Sequence, residues 1–441
     1  MKSHASSDAN DGDLTPFRAN PLAWLARARR ERGRVFALRT GGAVFSRLAD
    51  CRAVVAAFGA DAVRQVLTDG ETFVLPASAA GALALPPRLA RLNRSLHSMA
   101  EPEHGRHKRA LGALLGATAV DVPAMHRALE RATRQWPPHR PQPLLARMRE
   151  LSLTLAQCVL LSPQADPSLA PLLHEYFLLR RDAASTAAVG GAASRAPLLA
   201  AGQRLDRMLR RHLRNDGVAG GVLGRLRCPQ AMADLALSED EAVGHANILF
   251  VSATEPIAVA LTWTLLLLSQ RPDLWCALRD DVSALDRVLL ESLRLLPPNG
   301  FMVRLTTRPV RLGGLSLPAH AEVILCPVLS HREDGVFDRP EVFLPQRWRG
   351  PAPTPFEYFP FGAGGHACIG RSLGMDLLRA ALGFMVRRFD TVLDADQAID
   401  WRLHVMFMPR AEITARFEPV GAATDGGRWA GPVAGLVNLA G

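Results

Sequence analysis

Residues 359–370 read FPFGAGGHACIG, a loop in which four glycines surround one cysteine, Cys368, just ahead of an apolar run. A loop of this kind must turn tightly and lets another group approach its backbone. Three chemistries would use it: a phosphate cradle, a nucleophile or a metal ligand. Gly362-Ala363-Gly364-Gly365-His366-Ala367 satisfies G-x-G-x-x-G/A. A dinucleotide site, however, wants that pattern inside a parallel βαβ unit with an acid about 20 residues on, and no Lys-Ser/Thr follows for a P-loop. A nucleophile needs a base and an orienting group. His366 is close in sequence, but neighbours at i, i+2 tend to point apart. A metal-bound thiolate explains more of the stretch. Glycine N–H groups can turn toward sulfur, a helix beginning at Ile369 would point its positive end at it, and Phe361 would keep water away.

The rest of the composition narrows the choice. The six cysteines lie far apart with no C-x-x-C pair, so a zinc site is not expected. The net charge is +10 and all but two of the basic residues are arginine, yet they are scattered and aromatics are only 6%. Neither a phosphate-tracking stripe nor a stacking platform is visible, so no nucleic-acid partner is expected. The polar start, MKSHASSDANDGDLTP, has no apolar signal-peptide core, and a cytoplasmic chain with reduced thiols is expected. Residues 246–269 are apolar and long enough to span a bilayer. With Glu255 and Pro256 near their centre they read instead as a buried core helix, and no membrane span is expected.

Helical patterning dominates from 50 to 300, strands cluster in patches, and βαβ alternation is absent. The fold class that follows is mainly α with small β-sheets. The stretch 33–49 reads as a hairpin about Gly41-Gly42, and 182–196 as a loop between helices. Ser238 and Glu241 form a capping box opening a long helix that ends before Pro272. That helix would run roughly 45–50 Å. The helix SALDRVLLESLRLL is stopped by Pro297-Pro298, and turns are expected at Gly313-Gly314 and Pro318.

F-x-x-G-x-x-x-C-x-G, matched by Phe361, Gly364, Cys368 and Gly370, resembles the haem-binding loop of the cytochromes P-450. That family's other landmarks occur in order over about residues 20–415. Glu291 and Arg294 fit its E-x-x-R, and Arg347 in FLPQRW its later arginine; the resemblance makes these three a structural network. His104 and Lys108 fit H-x-x-x-R with lysine in the last place, and Arg304 and His366 complete the set that would hold the two haem propionates. The resemblance implies haem b with Cys368 as axial iron ligand, and a single haem-thiolate domain over 17–420 flanked by tails at 1–16 and 421–441. It implies a monomer that inserts oxygen from O2 into a C–H bond. Electrons would come from an external acidic ferredoxin, or a flavodoxin, with an NAD(P)H-dependent reductase. A mostly hydrophobic small molecule would contact Phe250, Phe301, Met302, Met406 and Phe407.

One landmark departs. Where the family carries A/G-G-x-D/E-T, this chain has Ser252-Ala253-Thr254-Glu255-Pro256. The acid, Glu255, is kept; the threonine that usually helps deliver protons is Pro256. A hydroxyl relays protons and proline cannot, but proline frees the Ser252 carbonyl and kinks the helix. Ser252, one turn away on the same face, or a substrate hydroxyl with water, is the expected relay. Two alternatives accompany this departure: a rearranging or peroxide-driven enzyme, and a non-catalytic haem-binding protein.

Overall fold

The computed structural model describes residues 14–76, 85–188, 195–214, 221–281, 283–403, 406–422 and 426–439. The fold is mainly α with small sheets. A five-stranded sheet runs in the order Val35–Thr40, Ala53–Ala57, Ala321–Leu325, Met302–Thr306, Phe73–Val74; the second and third strands are parallel and the other neighbours antiparallel. The core lies where the Glu255–Ser269 helix packs between the Leu144–Leu160 and Arg371–Arg388 helices. From Ile257 to Leu268 that helix is buried on every side, as expected of a helix apolar all round inside a large protein. Glu239–Ser269 is the one described segment long and apolar enough to cross a membrane, and 78% of its most apolar window is buried within the protein.

Several local expectations change. The hairpin at 33–49 keeps its first strand and its Gly41-Gly42 turn (φ +75° and +71°), but the second strand is Ala53–Ala57. The intervening backbone is claimed by a distant carboxylate: the Val44, Phe45 and Ser46 N–H groups donate to buried Glu322 at 3.2, 3.0 and 2.7 Å. Three N–H groups on one carboxylate leave none for a ladder there. The loop expected over 182–196 begins later, because the Leu169–Ala188 helix continues through its alanine-rich start. Residues 189–194 lie outside the described residues, and a helix resumes at Ala196. The turn at Gly313-Gly314 joins a hairpin of Val310–Leu312 and Leu315–Leu317.

The ends are more engaged than tails. Residues 1–13 lie outside the described residues, but Leu14 is buried and Thr15 opens a short helix. Within 421–441, Trp429–Ala430 pairs in parallel with Gln397–Ala398, Val433 and Val437 are buried, and the Phe343 N–H donates to the Asn438 carbonyl at 2.9 Å.

The long central helix is two helices, Glu239–Ser252 and Glu255–Ser269, broken at Ala253-Thr254. The capping box is present at its start: the Glu241 N–H donates to Ser238 Oγ at 3.3 Å, and the Ser238 N–H donates to the Glu241 carboxylate at 2.8 Å. Pro256, in the first turn of the second helix, cannot donate to the Ser252 carbonyl. The chain compensates by tightening. The Ala253 N–H reaches the Leu249 and Phe250 carbonyls at 3.0 and 3.2 Å, and the Thr254 N–H donates to Val251 at 3.2 Å. The proline therefore ends one helix and starts another, where a simple kink was expected.

Candidate active site around Cys368

The loop's geometry follows from its glycines. Gly362 and Gly364 sit at φ +69° and +66°, the left-handed region that side chains rarely adopt. A Cβ on Gly364 would lie 1.9 Å from the Leu67 carbonyl oxygen, so only glycine lets the loop press against the Ala60–Thr68 helix. The Cys368 N–H closes the turn on the Phe361 carbonyl at 2.8 Å. The helix beyond begins at Arg371 with Gly370 as its N-cap, two residues later than Ile369. Cys368 is solvent-accessible, yet burial pushes its thiol pKa up against the opposing pull of the Gly370 N–H, Lys108 and Arg371. A side chain both accessible and deeply surrounded lines an internal cleft.

The cationic residues converge there. His104 is 3% exposed, its Nδ1 lies 3.0 Å from Glu101 Oε1, and its ring is 4.3 Å from that of His366. Lys108 Nζ donates to the Gly365 carbonyl. Arg304 is 3% exposed and donates to the Val303 carbonyl at 2.9 Å. Burial alone depresses Arg304 to about 10. His366 is pushed down to about 4, first by burial and then by Arg304, His104 and Lys108. Lys108 and Arg304 thus lie beside two histidines, with Glu101 the carboxylate that acts on Lys108, His104 and His366, the condition of a pocket built for an anion.

Glu291, Arg294 and Arg347 come together as a buried network. Glu291 and Arg294 are both 0% exposed and joined bidentately at 2.9 and 2.9 Å. Arg347 Nε lies 3.0 Å from Glu291 Oε1. Arg294 also donates to the His331, Pro340 and Val342 carbonyls. Trp348 Nε1 and the Leu344 N–H complete the carboxylate, each at 2.9 Å. Trp348 was not expected, though its place beside Arg347 in FLPQRW is a usable signal.

At the helix break, Ser252 is exposed and Pro256 half-buried within an otherwise closed core. Ile257 and Phe361 each come within 4 Å of where a Cβ on Gly374 would stand, which sets the break beside the cysteine loop. Thr254 is buried, with Oγ1 donating to the Val251 carbonyl at 3.2 Å. Glu255 is 1% exposed and held by Arg149, whose Nε lies 2.9 and 3.2 Å from its two oxygens, with Arg181 at 3.9 Å. Neither arginine carries a signal in the sequence, since Arg149 is 106 residues away.

The residues expected to meet substrate divide. Phe250 is fully buried, Phe301 packs 4.9 Å from Phe45, and Phe407 lies between Trp263 and Trp401 at 5.5 and 5.6 Å. These rings are core. Met302, near Gly362, and Met406, bridged to Asn299, stay partly accessible. His404 and Val405 of the same stretch lie outside the described residues.

A sequence model of the family described as cytochrome P-450 matches residues 226–413. The cyanobacterial CYP120A1 structure with retinoic acid bound superposes with a TM-score of 0.72 at 19% identity, covering 91% of this chain and 95% of its own. Residues 226–413 match the cytochrome P-450 family, and the chain has the cytochrome P-450 fold. CYP175A1 from Thermus thermophilus superposes at 0.70 and 24% identity over 92% and 97% of the two chains. Among curated sequences, cyclooctatin synthase of Streptomyces melanosporofaciens is 32% identical over 209 residues, 42% of this chain and 46% of the synthase, so the match spans under half of that relative. A Mycobacterium tuberculosis chain designated cytochrome P-450 137 is 26% identical over 348 residues, 74% of this chain and 73% of its own.

The cytochrome P-450 family implies a haem held through a cysteine thiolate. The residues fit one: a glycine cradle presents Cys368 to a cleft, and Arg304 is a buried guanidinium with no carboxylate partner among the described residues. His104, Lys108, Arg304 and His366 are the side chains that would hold its two carboxylates.

Proposed function

We propose that this chain is a cytoplasmic haem-thiolate monooxygenase. One atom of O2 enters a C–H bond of a mostly hydrophobic small molecule and the other leaves as water, consuming two electrons and two protons. Haem, when bound, supplies the oxygen-activating redox chemistry. The chain holds it, shapes the cleft and routes protons. The observation that carries this reading is Cys368 in a cleft lined by two cations, Lys108 and Arg304, and two histidines, His104 and His366. The test is the absorbance spectrum of the purified ferric protein during titration with apolar ligands: terpenoids, fatty acids and carrier-tethered acyl groups. A thiolate-ligated haem that moves from low to high spin supports an oxygenase and names the substrate class. A spectrum without thiolate ligation overturns the assignment.

Pro256 favours a second reading, an enzyme that rearranges its substrate or uses peroxide directly. Ser252 decides between them, since it is exposed one turn from the proline, while Glu255 is committed to Arg149. Ser252→Ala is expected to lower coupled product formation about 10-fold or more, a modest share of what a positioned proton donor contributes, and to raise peroxide release. Unchanged product per NAD(P)H would remove Ser252 from the relay and favour the second reading. Pro256→Thr is expected to keep turnover.

Electrons come from a separate acidic ferredoxin, or a flavodoxin, with its NAD(P)H-dependent reductase. Arg371 is exposed beside the loop with its guanidinium 5.9 Å from the Phe361 ring centre. Arg379, by contrast, is already paired with Asp286 and Asp376. Arg371→Glu is expected to slow ferredoxin reduction about 10-fold at low salt, the difference shrinking as ionic strength rises. An unchanged rate and salt dependence would move the docking face elsewhere.

A further inference from the structure

Among the described residues, one group of ligand-type side chains brings three donor atoms within 4.8 Å of one another: Glu103, His107 and Glu241. Glu103 and His107 stand one turn apart on a single face of the Glu103–Gly116 helix, and Glu241 lies in the first turn of the Glu239–Ser252 helix. None of the three belongs to the residues that would hold haem, move protons or meet substrate.

Each donor is aimed by something outside the group. His107 is 3% exposed, and its Nδ1 lies 3.0 Å from Nε2 of His245, which is 0% exposed. That leaves His107 Nε2 facing Glu241 Oε1 at 3.8 Å, beyond hydrogen-bond distance. A buried ring nitrogen therefore points at carboxylates without a bond of its own. Glu241 is fixed from behind: one oxygen, Oε2, accepts from the Ser238 N–H and Oγ at 2.8 and 2.6 Å, which turns Oε1 toward the histidine. Between the two glutamates stands Arg94. A single nitrogen, Nη2, lies 3.5 Å from Glu103 Oε1 and 3.4 Å from Glu241 Oε1, longer than the roughly 2.7–2.9 Å of a committed charge-assisted bond. Its side chain is 52% exposed, so water is open to it if another cation takes its place.

One imidazole nitrogen and two carboxylate oxygens suit zinc better than calcium or magnesium, which take oxygen alone. Three protein ligands with water in the fourth place is a familiar zinc arrangement. We propose that Glu103, His107 and Glu241 form a zinc-type divalent-cation site, with Arg94 yielding its place to the metal. Ligand atoms about 2.0–2.1 Å from zinc stand about 3.4 Å apart when tetrahedral, so the glutamates need draw in by no more than about 1.5 Å. A metal-bound histidine donates its other N–H to an outer partner, and His245 is placed to accept it. The bound ion would staple the helix that carries His104 and Lys108 to the one that ends at Ser252.

Haem-loaded protein stripped with chelator is titrated with zinc chloride by calorimetry at about pH 7.5, where an unliganded imidazole is mostly neutral. Wild type is compared with Glu103→Gln, His107→Gln and Arg94→Gln. A single equivalent is expected to bind with a Kd of about 10 μM or tighter and to raise the thermal midpoint. Glu103→Gln and His107→Gln should each weaken binding at least about 10-fold. Arg94→Gln should tighten it, because the competing cation is gone. Calcium chloride should give no comparable response. If His107→Gln fails to fold, the other two variants still decide the question. Absence of a single-equivalent site in the wild type overturns the proposal. So does zinc binding that Glu103→Gln leaves intact, which would place the ion on the exposed Cys158, Cys228 or Cys276. Arg94→Gln with unchanged or weaker affinity overturns it as well, and calcium binding equal to zinc would remove the imidazole from the site.

Discussion

Cys368→Ser is expected to abolish turnover while leaving a folded chain that still takes up some haem. The two halves of that result come from different parts of the site. His104, Lys108, Arg304 and His366 would hold haem carboxylates by charge or hydrogen bond, and three of them do not depend on the sulfur for position: Arg304 is fixed in its strand, His104 by Glu101, Lys108 by the Gly365 carbonyl. The loop too is closed by backbone, through the Cys368 N–H and the Phe361 carbonyl, which serine keeps. What serine removes is the soft thiolate ligand that donates electron density to iron. The loss in rate should exceed the roughly 10–100-fold typical of outer-shell partners in metal sites. The measurement is a paired one: haem content per chain with its ferrous carbon monoxide spectrum, and product formed with a surrogate ferredoxin. A serine variant that retains thiolate-type spectra, or turns over within about 10-fold of wild type, would show that Cys368 is not the ligand.

What the sequence could show, and what it could not, follows from how far each interaction reaches. The cysteine loop was legible because its chemistry is local: glycines, sulfur and helix start fall within twelve residues. The Glu291 network was legible because Glu291 and Arg294 are one turn apart and Arg347 sits in a recognisable context. The hairpin at 33–49 was misread because the carboxylate that takes its N–H groups is Glu322, about 277 residues on. Pro256 announced a disturbance, but not that the helix would close at Ser252 and reopen at Glu255, since Ala253-Thr254 has no breaker of its own. Arg149 was invisible for a further reason. In a chain with some fifty arginines nothing local marks the one that meets Glu255; only the fold shows it.

The largest expected effect on stability is at Glu291, where the carboxylate is the hub of the fold's meander. Its two oxygens accept from Arg294, Arg347, Trp348 and the Leu344 N–H, and it is 0% exposed. Glu291→Ala leaves the Arg294 guanidinium, also 0% exposed, with three carbonyls and no counter-ion, and frees Arg347, Trp348 and the 344 backbone together. Removing one member of a buried pair costs about 3–5 kcal/mol because the remaining charge is uncompensated. Against a typical net stability of about 5–15 kcal/mol, that is enough to lower expression as well as the urea midpoint. Glu291→Gln separates charge from shape: it keeps the volume and one acceptor, so if the ion pair dominates it should lose nearly as much as alanine. Arg294→Lys should also fail to restore stability, since a lysine can reach the carboxylate but not the His331, Pro340 and Val342 carbonyls at once. Urea unfolding of haem-loaded protein, followed by circular dichroism and by haem absorbance, gives the answer. If the three midpoints coincide with wild type, the network does not hold the 338–348 segment. If haem absorbance is lost before helicity, the network's main task is to hold the chain that leads into the cysteine loop, as its position thirteen residues before Phe361 predicts.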